Sequence, residues 1–79
     1  MTAAALTTAM RCAMSYVAAA EPKGHDAPEF DRTLVALSRR GLVEWRATRA
    51  KPRVYSWHLT VAGRDWHNAD QEAFRRARA

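Results

Sequence analysis

Cysteine, glycine and long apolar stretches are scarce in this chain, and each scarcity excludes a class of protein. Cys12 is the sole cysteine among 79 residues, so an internal disulfide and a cysteine-based zinc cluster are both excluded. No run of about 18 apolar residues exists, so we expect no membrane-spanning helix. A lone cysteine suits a reducing compartment, and we therefore expect a cytoplasmic protein.

Patterns that accompany catalysis are also missing. The three glycines form no phosphate-binding loop. His58 and His67 do not have the spacing of metal ligands, and Ser15, Ser38 and Ser56 lie in no nucleophile-elbow context. We predict that the chain is not an enzyme and has no catalytic residues, no metal and no cofactor.

Positive charge is present, but it is unevenly distributed. We expect one domain over residues 1–79, with a net charge of +5. Residues 1–31 contain two Lys or Arg and four Asp or Glu, whereas residues 32–79 contain eleven basic and four acidic residues. This asymmetry favours a polyanionic partner for the second part of the chain.

A first helix is predicted over residues 3–20, which contain neither Gly nor Pro. Leu6, Met10, Met14 and Val17 recur at helical spacing and form one apolar stripe. Because a chain this short buries only about 60% of its unfolded surface, a dimer interface could supply the missing burial. We therefore expect the stripe to pack in the core, and a homodimer to form through this same helix.

A second helix is predicted over residues 27–40. Asp26 is placed to cap it, Glu29 stands three residues later, and Pro28 falls in the first turn. Gly41 ends the helix. We expect its buried side to consist of Phe30, Leu34 and Leu37.

A hairpin and a third helix follow. We predict strands at residues 42–45 and 54–60, separated by a turn with four basic and no acidic residues. Alternation in the second strand puts Tyr55, Trp57 and Leu59 on one face and Val54, Ser56 and His58 on the other. Thr60 is placed to cap the last helix, whose predicted apolar stripe is Ala62, Trp66, Ala69 and Ala73. We expect core packing for Trp57 and Trp66 and leave base stacking open for Trp45.

The order Leu34-x-x-Leu37-x-x-x-Gly41-Leu42-Val43, then Leu59-Thr60-x-x-Gly63 after a basic turn, resembles the winged-helix DNA-binding domain. It is most similar to bacterial regulators of the multiple-antibiotic-resistance type and their small bacterial or phage relatives. The resemblance covers residues 28–66. It implies an α+β fold, a minimal winged helix with an N-terminal helix, a recognition helix, a two-stranded β-hairpin wing and a C-terminal helix.

The resemblance also implies a function and a site. The chain would bind duplex DNA, with or without sequence specificity, as a small homodimeric transcriptional regulator associated with the nucleoid. Residues 27–40 would be the recognition helix and residues 46–53 the wing. The implied DNA-binding residues are Arg32, Thr33, Ala36, Arg39, Arg40, Arg46, Arg49, Lys51 and Arg53.

Two departures from the family pattern support an alternative. Residues 21–27 leave no room for the middle helix that the family has before its recognition helix. Asp26, Glu29 and Asp31 crowd the start of that helix, where they repel phosphate. The alternative is a winged-helix module of phage or accessory type that binds a host protein and modulates it. Independently of either function, the charges of the basic turn could serve to protect the hairpin edge from aggregation.

Overall fold

Three helices and a two-stranded antiparallel sheet make up the described part of the chain, which confirms the α+β class. The computed structural model describes residues 6–47 and 54–78. The elements in chain order are α1 (Thr8–Ala19), α2 (Arg32–Arg39), β1 (Val43–Ala47), β2 (Tyr55–Leu59) and α3 (Val61–Arg78). Within the described ranges, none of the helices combines the length and the apolar character needed to cross a membrane.

The apolar stripe of α1 packs into the core as predicted. Met14 and Val17 are 0% exposed, Leu6 is 8% exposed, and Met10 packs partly buried beside them. Burying each such side chain contributes roughly 1.5–3 kcal/mol, so the stripe is a main source of stability. The helix begins later than residue 3, because the Thr7 hydroxyl accepts a hydrogen bond from the Met10 amide at 3.1 Å and caps it.

The start of α2 differs from the prediction. Asp31 is the N-cap, and its carboxylate accepts from the Leu34 amide at 3.0 Å, so the helix spans Arg32–Arg39 and Asp26 caps nothing. Phe30 therefore precedes the helix and is 82% exposed, which makes its assignment to the buried side wrong. Leu34 and Leu37 are buried as predicted.

The segment between α1 and α2 is fastened to β2, and this explains the late start of α2. The His25 amide donates to the Trp57 carbonyl at 2.8 Å, and the Trp57 amide donates to the His25 carbonyl at 3.0 Å. The Trp57 indole also donates to the Pro28 carbonyl at 3.1 Å. With both points attached to a strand, the chain from His25 to Pro28 cannot coil into the first turns of a helix.

Gly41 ends α2, as predicted. Its φ of 75° lies in the left-handed region that a side chain disfavours. The Leu42 amide reaches back to the Leu37 carbonyl at 3.1 Å and closes the helix end. The chain enters β1 at Val43, so only residues 40–42 separate α2 from the hairpin.

The hairpin is buried on both faces near its base. Val43 pairs with Leu59, and Trp45 pairs with Trp57. Val43, Leu59 and Trp57 are buried in the core, and Trp45 packs against it. On the opposite face Ser56 is 5% and His58 4% exposed, although both are polar. The predicted alternation is confirmed, and the burial of its polar side is new.

Helix α3 is capped as predicted but packs differently. The Thr60 hydroxyl accepts from the Gly63 amide at 2.9 Å. Gly63 is buried against the Leu42 carbonyl, whereas Trp66 is half-buried. The rest of the predicted apolar stripe is exposed, and that prediction is wrong for Ala62, Ala69 and Ala73. The core is too small to extend along the whole helix.

Candidate nucleic-acid interface

The outward face of α2 presents two arginines. Arg32 begins the helix and Arg39 ends it, and both are exposed. Seven residues correspond to about two turns, so the two side chains leave the same face about 10 Å apart along the axis. Val35 and Ala36 lie between them on the helix, and both are half-buried.

Most other arginines of the described ranges are already engaged by acidic or aromatic groups. Arg11 pairs with Asp70 at 3.0 Å, and Arg64 pairs with Glu21. Arg75 and Arg76 form ion pairs with Glu72, and the Arg78 guanidinium lies over the Phe74 ring. By contrast, Arg32 and Arg39 form no ion pair with any residue in 6–47 or 54–78, which leaves both guanidinium groups available to a ligand.

Thr33 and Arg40 are also predicted on the outward side of the recognition helix. Thr33 is half-buried and lines an open cleft of about 330 Å³ beside Cys12 and Tyr16 of α1. It lies beside the buried Leu34, on the side of α2 that faces this cleft. Arg40 is the C-cap of α2 and is exposed.

One of the four predicted wing cations lies on a described strand. Arg46 is exposed on β1 and pairs with Glu44 at 3.0 Å. An exposed pair of this kind contributes little stability, so Arg46 can exchange its carboxylate for phosphate at small cost. Arg49, Lys51 and Arg53 lie outside the described residues.

Trp45 lies at the base of the hairpin among other aromatic rings. Its ring stacks on Tyr55 with 5.9 Å between centroids and an interplanar angle of 15°. Its centroid is also 5.2 Å from that of Trp57, with the rings tilted by 58°. These contacts stabilise the hairpin. They account for Trp45 without base stacking.

The loop before α2 carries two exposed acidic side chains and an exposed aromatic ring. Asp26 and Glu29 are exposed and form no ion pair within the described ranges. Phe30, beside them, is the most exposed of the large apolar side chains. Negative charge here opposes phosphate near the start of α2, whereas an exposed aromatic ring suits a protein surface.

A polar cluster that the sequence did not predict lies under the hairpin. We call it the polar clasp, and it consists of Glu21, Ser56, His58 and Arg64. Ser56 Oγ lies 2.9 Å from His58 Nε2 and donates to the Lys23 carbonyl at 3.2 Å. Arg64 donates to one oxygen of Glu21. Burial lowers the pKa of His58, and Arg46 lowers it further.

The polar clasp has no signal in the sequence, since its members come from three separate segments. No three His, Cys, Asp or Glu side chains in residues 6–47 and 54–78 are arranged to hold a metal ion. Comparison with protein-family models, with curated proteins and with solved structures gives no match to this chain.

Proposed function

We propose that the chain is a minimal winged-helix protein that binds duplex DNA and acts as a small transcriptional regulator. The observation that carries this proposal is the pair of exposed arginines, Arg32 and Arg39, on one face of α2. Both lack a carboxylate partner in the described ranges. Arginine grips phosphate and guanine edges with two parallel hydrogen bonds, so two guanidinium groups on one exposed helical face suit a duplex.

The position of Arg32 strengthens the proposal. A helix begins with the equivalent of about half a positive charge, so a cation in the first turn is unfavourable for the helix itself. Helix stability therefore explains Arg39, at the other end of α2, but does not explain Arg32. A polyanionic ligand accounts for both.

The test is the affinity of a labelled mixed-sequence duplex for the double variant Arg32→Ala/Arg39→Ala at low salt. Loss of two charge-assisted contacts of about 1.5 kcal/mol each should weaken binding about a hundredfold. The matched control is Arg75→Ala/Arg76→Ala, which removes the same charge from residues paired with Glu72. Absence of binding by the native chain, or equal losses in both variants, would contradict the proposal.

A second candidate function rests on Phe30. An aromatic side chain that is 82% exposed between Glu29 and Asp31 suits the anchor of a protein interface, with a basic partner around an apolar pocket. This is the alternative of a module that modulates a host factor. A partner captured by the native chain after nuclease treatment, and lost on Phe30→Ala but not on Arg32→Ala/Arg39→Ala, would select this function over DNA binding.

A homodimer through the N-terminal helix belongs to the same proposal. Because Met14 and Val17 pack within their own chain, the dimer would use the other side of α1, where Cys12 and Tyr16 are exposed. Analytical ultracentrifugation of the native chain and of Tyr16→Glu tests this. A monomer at all concentrations would remove the dimer from the proposal and leave DNA binding by α2 unaffected.

A further inference from the structure

The protonation state of His58 follows from its hydrogen bonds. A serine hydroxyl has one proton, and Ser56 donates it to the Lys23 carbonyl. His58 must then donate to Ser56 through Nε2, which makes Nδ1 the unprotonated nitrogen of a neutral ring. Nδ1 is buried and has no hydrogen-bond partner among the described residues.

Protonation of His58 would create two problems at a side chain that is 4% exposed. It would place a positive charge away from water, and it would add an N–H group at Nδ1 where no acceptor is positioned. Burial is the largest influence on the pKa of this imidazole and lowers it.

Charged groups from the loop after α1, from β1 and from α3 lie around the polar clasp. Glu21, before the hairpin, and Glu44, on β1, favour the protonated ring. Arg46, also on β1, opposes it. Arg64, on α3, donates to one oxygen of Glu21, whereas the other oxygen, Oε1, is buried and forms no hydrogen bond, with His58 Nδ1 or any other described group. Burial remains the largest influence and disfavours the charged ring in the closed structure.

The segment that covers His58 is attached to β2 by hydrogen bonds, to α3 through the Glu21–Arg64 pair and to α1 through the stacking of His25 on Tyr16. Gly24, with a φ of 98°, lies so close to Ser56 and the His58 ring that a Cβ there would overlap both. The Lys23 carbonyl accepts a hydrogen bond from the Ser56 hydroxyl, and the His25 backbone pairs with the Trp57 backbone. Movement of this one segment would expose the imidazole to water without disturbing the contacts among Met14, Val17 and the other core side chains.

We propose that the polar clasp is an acid-released latch, in which protonation of His58 detaches residues 21–25 from β2 while the helical core stays folded. The proton taken up by Nδ1 comes from solvent, and the imidazolium becomes hydrated once the segment lifts. The latch does not depend on DNA binding. It converts a fall in pH into a local opening next to the segment that leads into α2.

Amide hydrogen exchange followed by NMR from about pH 7.5 to pH 5 tests the latch. The protection factors of the His25 and Trp57 amides, which hold the segment to β2, should fall at least about threefold as His58 charges. Those of Met14 and Val17 in α1 should fall less. The midpoint of the loss should coincide with the titration of the His58 ring, followed in the same samples.

His58→Gln supplies a neutral side chain that can still bond Ser56, and it should abolish the pH dependence. His67→Gln is the matched control and should retain it. The proposal is overturned if protection of His25 and Trp57 is constant with pH, if α1 amides lose protection equally, or if His58→Gln keeps the dependence. Should His58→Gln fail to fold, the coincidence of midpoints in the native chain decides.

Discussion

At the residue scale, Asp26 and Asp31 show how position decides the role of a side chain. Both precede α2 and both are good capping residues. Asp31 caps the helix because its carboxylate meets the Leu34 amide, whereas His25 and Pro28 keep the chain around Asp26 attached to β2. A tertiary contact therefore overrides a local capping signal.

The two aspartates give a matched pair of substitutions. Asp31→Ala removes the cap and should lower the free energy of unfolding by about 0.5–2 kcal/mol. Asp26→Ala removes the same charge from an exposed loop and should change it by less than about 0.5 kcal/mol. Urea denaturation monitored by circular dichroism measures both. Equal losses would show that α2 begins nearer to Asp26.

At the element scale, α3 and α1 differ in how well their sequences indicate packing. The stripe of α1 contains large side chains, and Met14 and Val17 are enclosed by the core. The predicted stripe of α3 consists mainly of alanine, which is compatible with a buried or an exposed face. Its closest approach to the sheet is made by Gly63, which has no side chain and no hydrophobic signal.

Gly63→Ala tests the contact that positions α3. Alanine favours a helix over glycine by about 1 kcal/mol, but its Cβ would overlap the backbone carbonyl of Leu42. Overpacking against backbone costs about 1–3 kcal/mol or more, so the clash should win and the variant should be destabilised. Ala62→Gly, at an exposed position of the same helix, is the control for helix propensity. A thermal midpoint for Gly63→Ala above that of the native chain would contradict this packing.

At the scale of the whole molecule, the sequence predicted the order of elements but not their long-range contacts. Helix periodicity, Gly41 and Thr60 marked helices and caps because these signals are local. Ser56 of the polar clasp donates to the Lys23 carbonyl across 33 residues of sequence, and no local pattern predicts such a pairing. For the candidate site, Arg32 and Arg39, which the resemblance implied, are exposed, whereas the half-buried position of Thr33 depends on packing against α1.

The global stability of the molecule should depend on pH through His58. Its pKa is lowered in the folded state, so below the ordinary value of 6.5 the unfolded chain binds more protons than the folded one. Stability should therefore be unaffected by this group above pH 6.5 and decrease as the pH falls below it. Urea midpoints of the native chain and His58→Gln across this range measure the effect, and parallel curves would exclude His58 as the cause.

The salt dependence of duplex binding tests the central claim, that α2 holds DNA through Arg32 and Arg39, most directly. With about six phosphate contacts, affinity should fall roughly a thousandfold between 50 and 200 mM salt. Removing both arginines should lower the slope of log K against log salt by about two, whereas the Arg75→Ala/Arg76→Ala control should keep it. A slope near zero for the native chain, or an unchanged slope in Arg32→Ala/Arg39→Ala, would contradict the account.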